Sequence, residues 1–250
     1  MDRNKARVQE DLGHEDTARL VIDYLHRQIV HYVMWFAEVR HQLGWEKAWP
    51  ILEAAYARSY AIQMKRLADT LGFEMKDDVP GPLLALDGEA LQALKERVAK
   101  NWLANDGVWF QAVEFSRGMY DAKRANDSCW SAFSPFEAWS IKRFLGLSEK
   151  PGLDGLKRAL QFRLYAAVNR QSIDEETETS FVFRMNDCRV QAARKRKGLD
   201  DYPCKSGGMA EYPTFAEAVD PRIRTECLGC PPDEHPPEWY CAWRFTLTPS

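Results

Sequence analysis

The sequence predicts an α+β protein, a helical N-terminal part followed by a small α/β-sheet domain that carries a cysteine cluster. Three observations lead there. Apolar residues recur at helical spacing through the first part of the chain. Two later segments alternate apolar and polar side chains with period two. Five of the six cysteines, Cys188, Cys204, Cys227, Cys230 and Cys241, fall in the last part, and only Cys129 stands apart.

The elements follow in order. Asp16-Thr17 offer a cap to a helix in which Leu20, Val21, Leu25, Ile29, Val33, Phe36 and Leu43 keep helical spacing until Gly44 stops it. A second helix is predicted from about Glu46 to Leu71, after which Val79-Pro80-Gly81-Pro82 turns the chain. A third begins near Asp87 and carries Leu91, Leu94, Val98, Trp102 and Leu103, with Asn105-Asp106-Gly107 as its break. A fourth runs from Trp109 to about Ala125, and Asn126-Asp127-Ser128 reads as a turn. Ser134-Pro135-Phe136-Glu137 opens a further helix, with proline at its first position, that ends near Gly146. Gly146 to Gly155 is the expected joint, dividing the chain into a helical domain over residues 1–150 and a cysteine-rich α+β domain over 151–250. Beyond it come a helix from about Leu156 to Asn169 and a strand around Phe181, Phe183 and Met185. A basic helix from Val190 to Lys197, a short helix from Thr214 to Val219 and a strand around Cys241, Trp243, Phe245 and Leu247 complete the prediction.

Composition narrows the function classes. Over 250 residues, 34 Lys and Arg stand against 37 Asp and Glu, so no overall positive field points to a nucleic-acid partner. The opening Met1-Asp2-Arg3-Asn4-Lys5 lacks the apolar core of a secretory signal. The stretch from Leu20 to Val39 is interrupted by Asp23, His26, Arg27, Gln28, His31 and Glu38, so no membrane span is expected. Cysteines without a secretory signal suit a reducing, cytoplasmic setting. The partner expected is a small anionic molecule, and a homo-oligomer is compatible with the sequence.

The cysteines carry the chemistry. Cys227-Leu228-Gly229-Cys230 is expected to aim two sulfurs at one point from a tight turn. Cys204 lies 23 positions before Cys227, and Cys241 lies 11 after Cys230. Four thiolates so placed form a metal signature, for which a 4Fe–4S iron–sulfur cluster is favoured and zinc is the alternative. Cys188 is then a surplus sulfur with a catalytic role, and His235 a candidate proton shuttle. From Arg184 to Lys205 the chain holds seven positive and three negative residues, and Arg189 and Lys205, each beside a cysteine in sequence, are the expected contacts to the anion.

Four segments carry a resemblance: Asn101 to Gly107, Asn126-Asp127-Ser128-Cys129-Trp130, Arg184 to Gln191, and Thr225 to Pro236. Through them the chain resembles an uncharacterised cytosolic prokaryotic family related to the L-2-amino-thiazoline-4-carboxylic acid hydrolase family. The order of Cys204, Gly207-Gly208, Glu226-Cys227 and Cys241-Ala242-Trp243 is similar to the layout of the four-vinyl-reductase domain, from which Cys230 and its proline-rich tail depart. The first resemblance implies hydrolysis of a carbon–nitrogen bond outside peptides, and the second a fold that binds small molecules or metals. The resulting expectation is a metal- or iron–sulfur-dependent enzyme acting on a small carboxylate-bearing nitrogen or sulfur compound. The alternative is a non-enzymatic small-molecule, metal or redox sensor or accessory protein.

Overall fold

A computed structural model describes residues 12–196, 198 and 201–249. The chain divides into two compact units, Met1–Asp87 and Gly88–Ser250. The first is a helical hairpin of α1 (His14–Leu43) and α2 (Trp45–Leu71), followed by a two-strand ladder of β1 (Met75–Lys76) and β2 (Val79–Pro80) and the short α3 (Gly81–Leu84). Gly44 takes φ of +78°, a conformation open to glycine, and lets one helix end and the next begin within a single residue. Phe36, Trp45 and Trp49 stack where the two helices meet.

The second unit opens with two long helices, α4 (Gly88–Arg117) and α5 (Met119–Leu145), then α6 (Gly152–Gln161) and a 3-10 turn (Leu164–Ala167). Strands β3 (Arg170–Asp174) and β4 (Ser180–Asp187), helices α7 (Arg189–Arg196) and α8 (Lys205–Val219), and strands β5 (Ile223–Gly229) and β6 (Cys241–Leu247) follow. The four strands form one antiparallel sheet in the order β3-β4-β6-β5. The fold is α+β, as the sequence predicts.

The register explains the core. Phe181 pairs with Phe245, Phe183 with Trp243 and Met185 with Cys241, so one face of β4 and β6 is apolar throughout. Leu156 and Leu160 of α6 and Phe215 and Val219 of α8 belong to the same buried cluster. Each of these large side chains contributes about 1.5–3 kcal/mol by leaving water.

Local signals yield to packing in several places. The chain does not break at Asn105-Asp106-Gly107; α4 runs through it, and the roughly 1 kcal/mol cost of a helical glycine is small against the contacts α4 makes with α5. The break falls at Gly118, at φ +91°. Asn126-Asp127-Ser128 and Pro135 all lie inside α5. The expected joint at Gly146 to Gly155 lies within the second unit, because α5 before it and α8 after it pack along one another. Helix α8 starts at Lys205 rather than Thr214, and β3 and β5 add to the two strands legible in sequence.

The connection between α8 and β5 is fixed by one buried carboxylate. Asp220, fully buried, accepts from the Gly152 N–H at the start of α6 (2.9 Å) and from Arg222 through its backbone N–H (3.0 Å), Nε (3.0 Å) and Nη2 (2.7 Å). Those Arg222 bonds hold its carboxyl down at about 2. A depressed carboxylate stabilises the fold above its unfolded value near 4, and that stability is lost as pH falls toward 2. Asp220→Asn is therefore expected to cost about 2 kcal/mol near neutral pH. In urea titrations at stepped pH, the gap to the parent should shrink on acidification between about 4 and 2.

Candidate functional site

Four elements of the second unit bring the late cysteines together. β4 ends beside Cys188, Cys204 immediately precedes α8, Cys227 lies on β5 with Cys230 just beyond it, and Cys241 opens β6. Residues three apart on a regular strand point to opposite faces. A bulge between Cys227 and Gly229 removes that problem, so Cys227-Leu228-Gly229-Cys230 is the irregular end of a strand and not the tight turn expected. Continuing the register past the Gly229–Ala242 pair sets Cys230 beside Cys241. The Lys205 N–H donates to the Pro231 carbonyl at 2.8 Å and anchors the start of α8, with Cys204, alongside.

Glycines allow this approach. A Cβ on Gly208 would stand 2.6 Å from the Trp243 ring and 3.8 Å from the Cys230 sulfur, so α8 reaches the sheet only because none is there. A Cβ on Gly207 would meet Asp127 Oδ1 at 3.2 Å, which is how the Asn126-Asp127 pair of α5 faces α8.

The sulfurs are not equivalent. Cys230, almost wholly buried, has its thiol pushed far up because it donates hydrogen bonds to Cys204 and Cys241 and because it is buried. Cys241 moves the other way: Cys230, then Trp243 and Tyr212, hydrogen-bond to its sulfur and outweigh the burial that opposes ionisation. Trp243 Nε1 is buried with no oxygen or nitrogen acceptor, which leaves the Cys241 sulfur as the group it acts on. Tyr212 stacks on Trp243 with ring centres 4.6 Å apart, fixing both donors. Cys204 donates to the Tyr202 carbonyl (3.2 Å) and accepts from Gln191 Nε2 (3.1 Å). Cys227 is raised by burial, with Lys205 opposing.

Other expected site residues have different duties. Cys188 is pushed up to about 12 by burial, even though the N–H groups of Gln191 and Val190 point at it as a cap of α7. It is a neutral thiol at physiological pH, which removes the nucleophilic role expected of it. Lys205 Nζ is clamped by both oxygens of Asp233 at 2.9 and 2.8 Å and ties α8 to the loop after Cys230, leaving it engaged rather than open to an anion. Arg189 is exposed, and its backbone N–H is bonded to Asn169 Oδ1 at 2.9 Å. His235 is held by Asp201 (3.1 Å) and the Pro236 carbonyl (3.0 Å); burial works against its charged form, yet these partners carry its pKa up.

The metal centre expected from sequence is not borne out. Among the described residues no group of three or more His, Cys, Asp or Glu side chains is arranged to hold a metal ion. The physical reason lies in how the sulfurs are used: Cys230 donates to two neighbours, Cys204 serves Tyr202 and Gln191, and Cys188 caps a helix. The iron–sulfur and zinc assignments for Cys204, Cys227, Cys230 and Cys241 fall on this finding, and with them the metal-dependent hydrolysis built on that centre.

Behind the thiols lies a buried charge network that sequence reasoning missed. Arg163 Nε donates to Glu137 Oε2 at 2.8 Å, its Nη2 stands 2.7 Å from Glu211 Oε1, and its guanidinium lies 4.6 Å over the Phe215 ring. All three charged residues are buried. Glu211 neighbours Tyr212 in sequence and acts electrostatically on Cys241. Burial pushes its carboxyl up to about 7, against the pull of Arg163. The signal was available: Gly208, Glu211, Tyr212, Phe215 and Val219 share one helical stripe once α8 is started at Lys205.

Residues 84–247 match a family of unknown function (DUF6125). The chain belongs to this family. The DUF6125 match covers nearly all of the second unit, including the six cysteines and the Arg163 network, and lies almost wholly outside the helical hairpin. It supplies no link to the L-2-amino-thiazoline-4-carboxylic acid hydrolase family or to the four-vinyl-reductase domain. Comparison with curated proteins and with solved structures gives no match.

The network makes two checkable statements. Arg163→Ala leaves two facing carboxylates buried and is expected to lower stability by about 3–5 kcal/mol in denaturant titration. Glu211, ionised near 4.5 when unfolded but near 7 when folded, makes the folded state bind an extra proton. Stability should then fall as pH rises through that window, and Glu211→Gln should flatten the slope.

Proposed function

We propose that the thiol cluster of this DUF6125 protein is a redox-responsive site, the sensor or accessory centre of a cytoplasmic protein, with Cys241 as its reacting sulfur. The observation that carries this reading is the convergence of three donors, Cys230, Trp243 and Tyr212, on that one atom. A thiolate, not a thiol, attacks electrophiles, and hydrogen bonds to the charged form favour it. The sulfur is also only partly buried, so a small reagent has access. Its natural reagent is a small hydroperoxide: the thiolate attacks the outer oxygen, the O–O bond breaks, an alcoholate or hydroxide leaves and takes a proton from solvent, and Cys241 becomes a sulfenic acid.

A second reading, an enzyme acting on a small carboxylate-bearing nitrogen or sulfur compound, draws support from Glu211. A carboxyl at about 7 that acts on the same sulfur suits proton transfer at neutral pH, and the exposed Arg189 is the cation available to an anion.

The redox reading is checked by timed alkylation with iodoacetamide and peptide mass spectrometry across pH. Cys241 should label first, with a midpoint below that of Cys227 and Cys188. Tyr212→Phe removes one donor and should slow labelling near neutral pH by about ten-fold, one unit of thiol pKa. Labelling of Cys241 no faster than Cys227 would dispose of the reading.

A further inference from the structure

The Cys241 reading leaves two sulfurs of the same cluster without a task. Cys230 donates to Cys241 on one side and to Cys204 on the other. It is therefore the middle of a row of three, and the row is built rather than accidental. The bulge in β5 turns Cys230 to the inner face beside Cys241. The Lys205–Pro231 backbone bond and the Lys205–Asp233 clamp hold the start of α8 against the same loop. Gln191, fully buried, fixes Cys204 from the far side: its Nε2 donates to the Cys204 sulfur at 3.1 Å and to the Tyr202 carbonyl at 2.9 Å, and its Oε1 accepts the Tyr202 N–H at 2.7 Å.

We propose that Cys241, Cys230 and Cys204 form a thiol–disulfide relay whose stable oxidised product is a Cys204–Cys230 disulfide. The inference rests on Cys241 being the sulfur that meets oxidant. In the first transfer the Cys230 sulfur attacks the Cys241 sulfenic acid, an S–S bond forms, and the hydroxyl leaves with the Cys230 proton as water. In the second, Cys204 attacks the Cys230 sulfur, the Cys230–Cys241 bond breaks, and Cys241 departs as a thiolate while the Cys204 proton goes to solvent. That step needs no further oxidant: Cys204 is oxidised as Cys241 is reduced. Its direction follows from the leaving group, because the sulfur carrying hydrogen bonds from Trp243 and Tyr212 is the better one to expel. The outcome returns Cys241 to its reactive form and stores the oxidising equivalent on the pair joining the loop after β5 to the start of α8. Cys188, a neutral thiol capping α7, and Cys227, raised by burial, stand outside the sequence of transfers.

The test uses the full chain, reduced and then exposed to stoichiometric hydrogen peroxide, with free thiols blocked at timed intervals and disulfides mapped by non-reducing peptide mass spectrometry. A Cys230–Cys241 disulfide should appear first and give way to Cys204–Cys230. In Cys204→Ser the first disulfide should persist, accumulating about ten-fold over its level in the parent. In Cys230→Ser, Cys241 should be trapped by dimedone as its sulfenic acid. The timed parent series stands without any variant, should either substitution disturb folding. If dimedone and peroxide leave Cys241 untouched, the redox reading itself fails. If Cys241 is oxidised and pairs with Cys230 while Cys204 stays free, or if Cys204 pairs directly with Cys241, the relay is overturned and the Cys241 reading survives. A metal retained in stoichiometric amount by the reduced protein and released on blocking these thiols would overturn both.

Discussion

The seat of Trp243 against Gly208 sets the distance between α8 and the sheet, and the remaining features of the second unit hang on that distance. With no side chain on Gly208 the helix settles onto the indole, and Tyr212, one turn further on, stacks flat against it. The same approach delivers Cys204 to the end of β5, Glu211 to Arg163, and Phe215 and Val219 to the apolar face of β4 and β6. A larger residue at that position would displace the whole helix, because interiors packed at crystal-like density have nowhere to move a methyl group.

Close packing has an electrostatic cost, and the buried ions show how it is met. A lone guanidinium in an apolar layer is strongly disfavoured, so Arg163 is bracketed by Glu137 and Glu211 and laid over the faces of Phe215, Tyr212 and Tyr165. Two carboxylates for one cation leave an imbalance, and Glu211 absorbs it by holding its proton up to neutral pH. Asp220 is the opposite case. One carboxylate faces four N–H donors and stays ionised far into acid.

The thiols follow the same logic at a smaller scale. Each sulfur takes its character from the donors around it: burial alone raises Cys227, a helix start only partly offsets burial at Cys188, and three donors carry Cys241 downward. Spacing in the sequence placed these cysteines near one another and read the convergence as a ligand set. Convergence is real for Cys204, Cys230 and Cys241, but sulfurs that bond to one another, to Gln191 and to Tyr202 are arranged as a hydrogen-bonded row, not around a common centre.

The sequence by itself determined the fold class, the two longest helices of the first unit to within a residue or two, the strands carrying Phe181 and Trp243, and the late clustering of cysteine. Each of these rests on periodicity, which a chain carries locally. Where elements were misplaced, the local signal was sound and a distant partner overruled it: Gly107 and Asn126-Asp127 look like breaks until α4 and α5 are packed against their neighbours. Tertiary structure alone decided that Cys227 and Cys230 share a face, since a one-residue bulge reverses strand alternation. It also decided which cysteine is the thiolate, because the donors that choose Cys241 come from β6 itself, from α8 and from the loop after β5. Ionisation is set by what surrounds an atom in space, and no spacing along the chain encodes that.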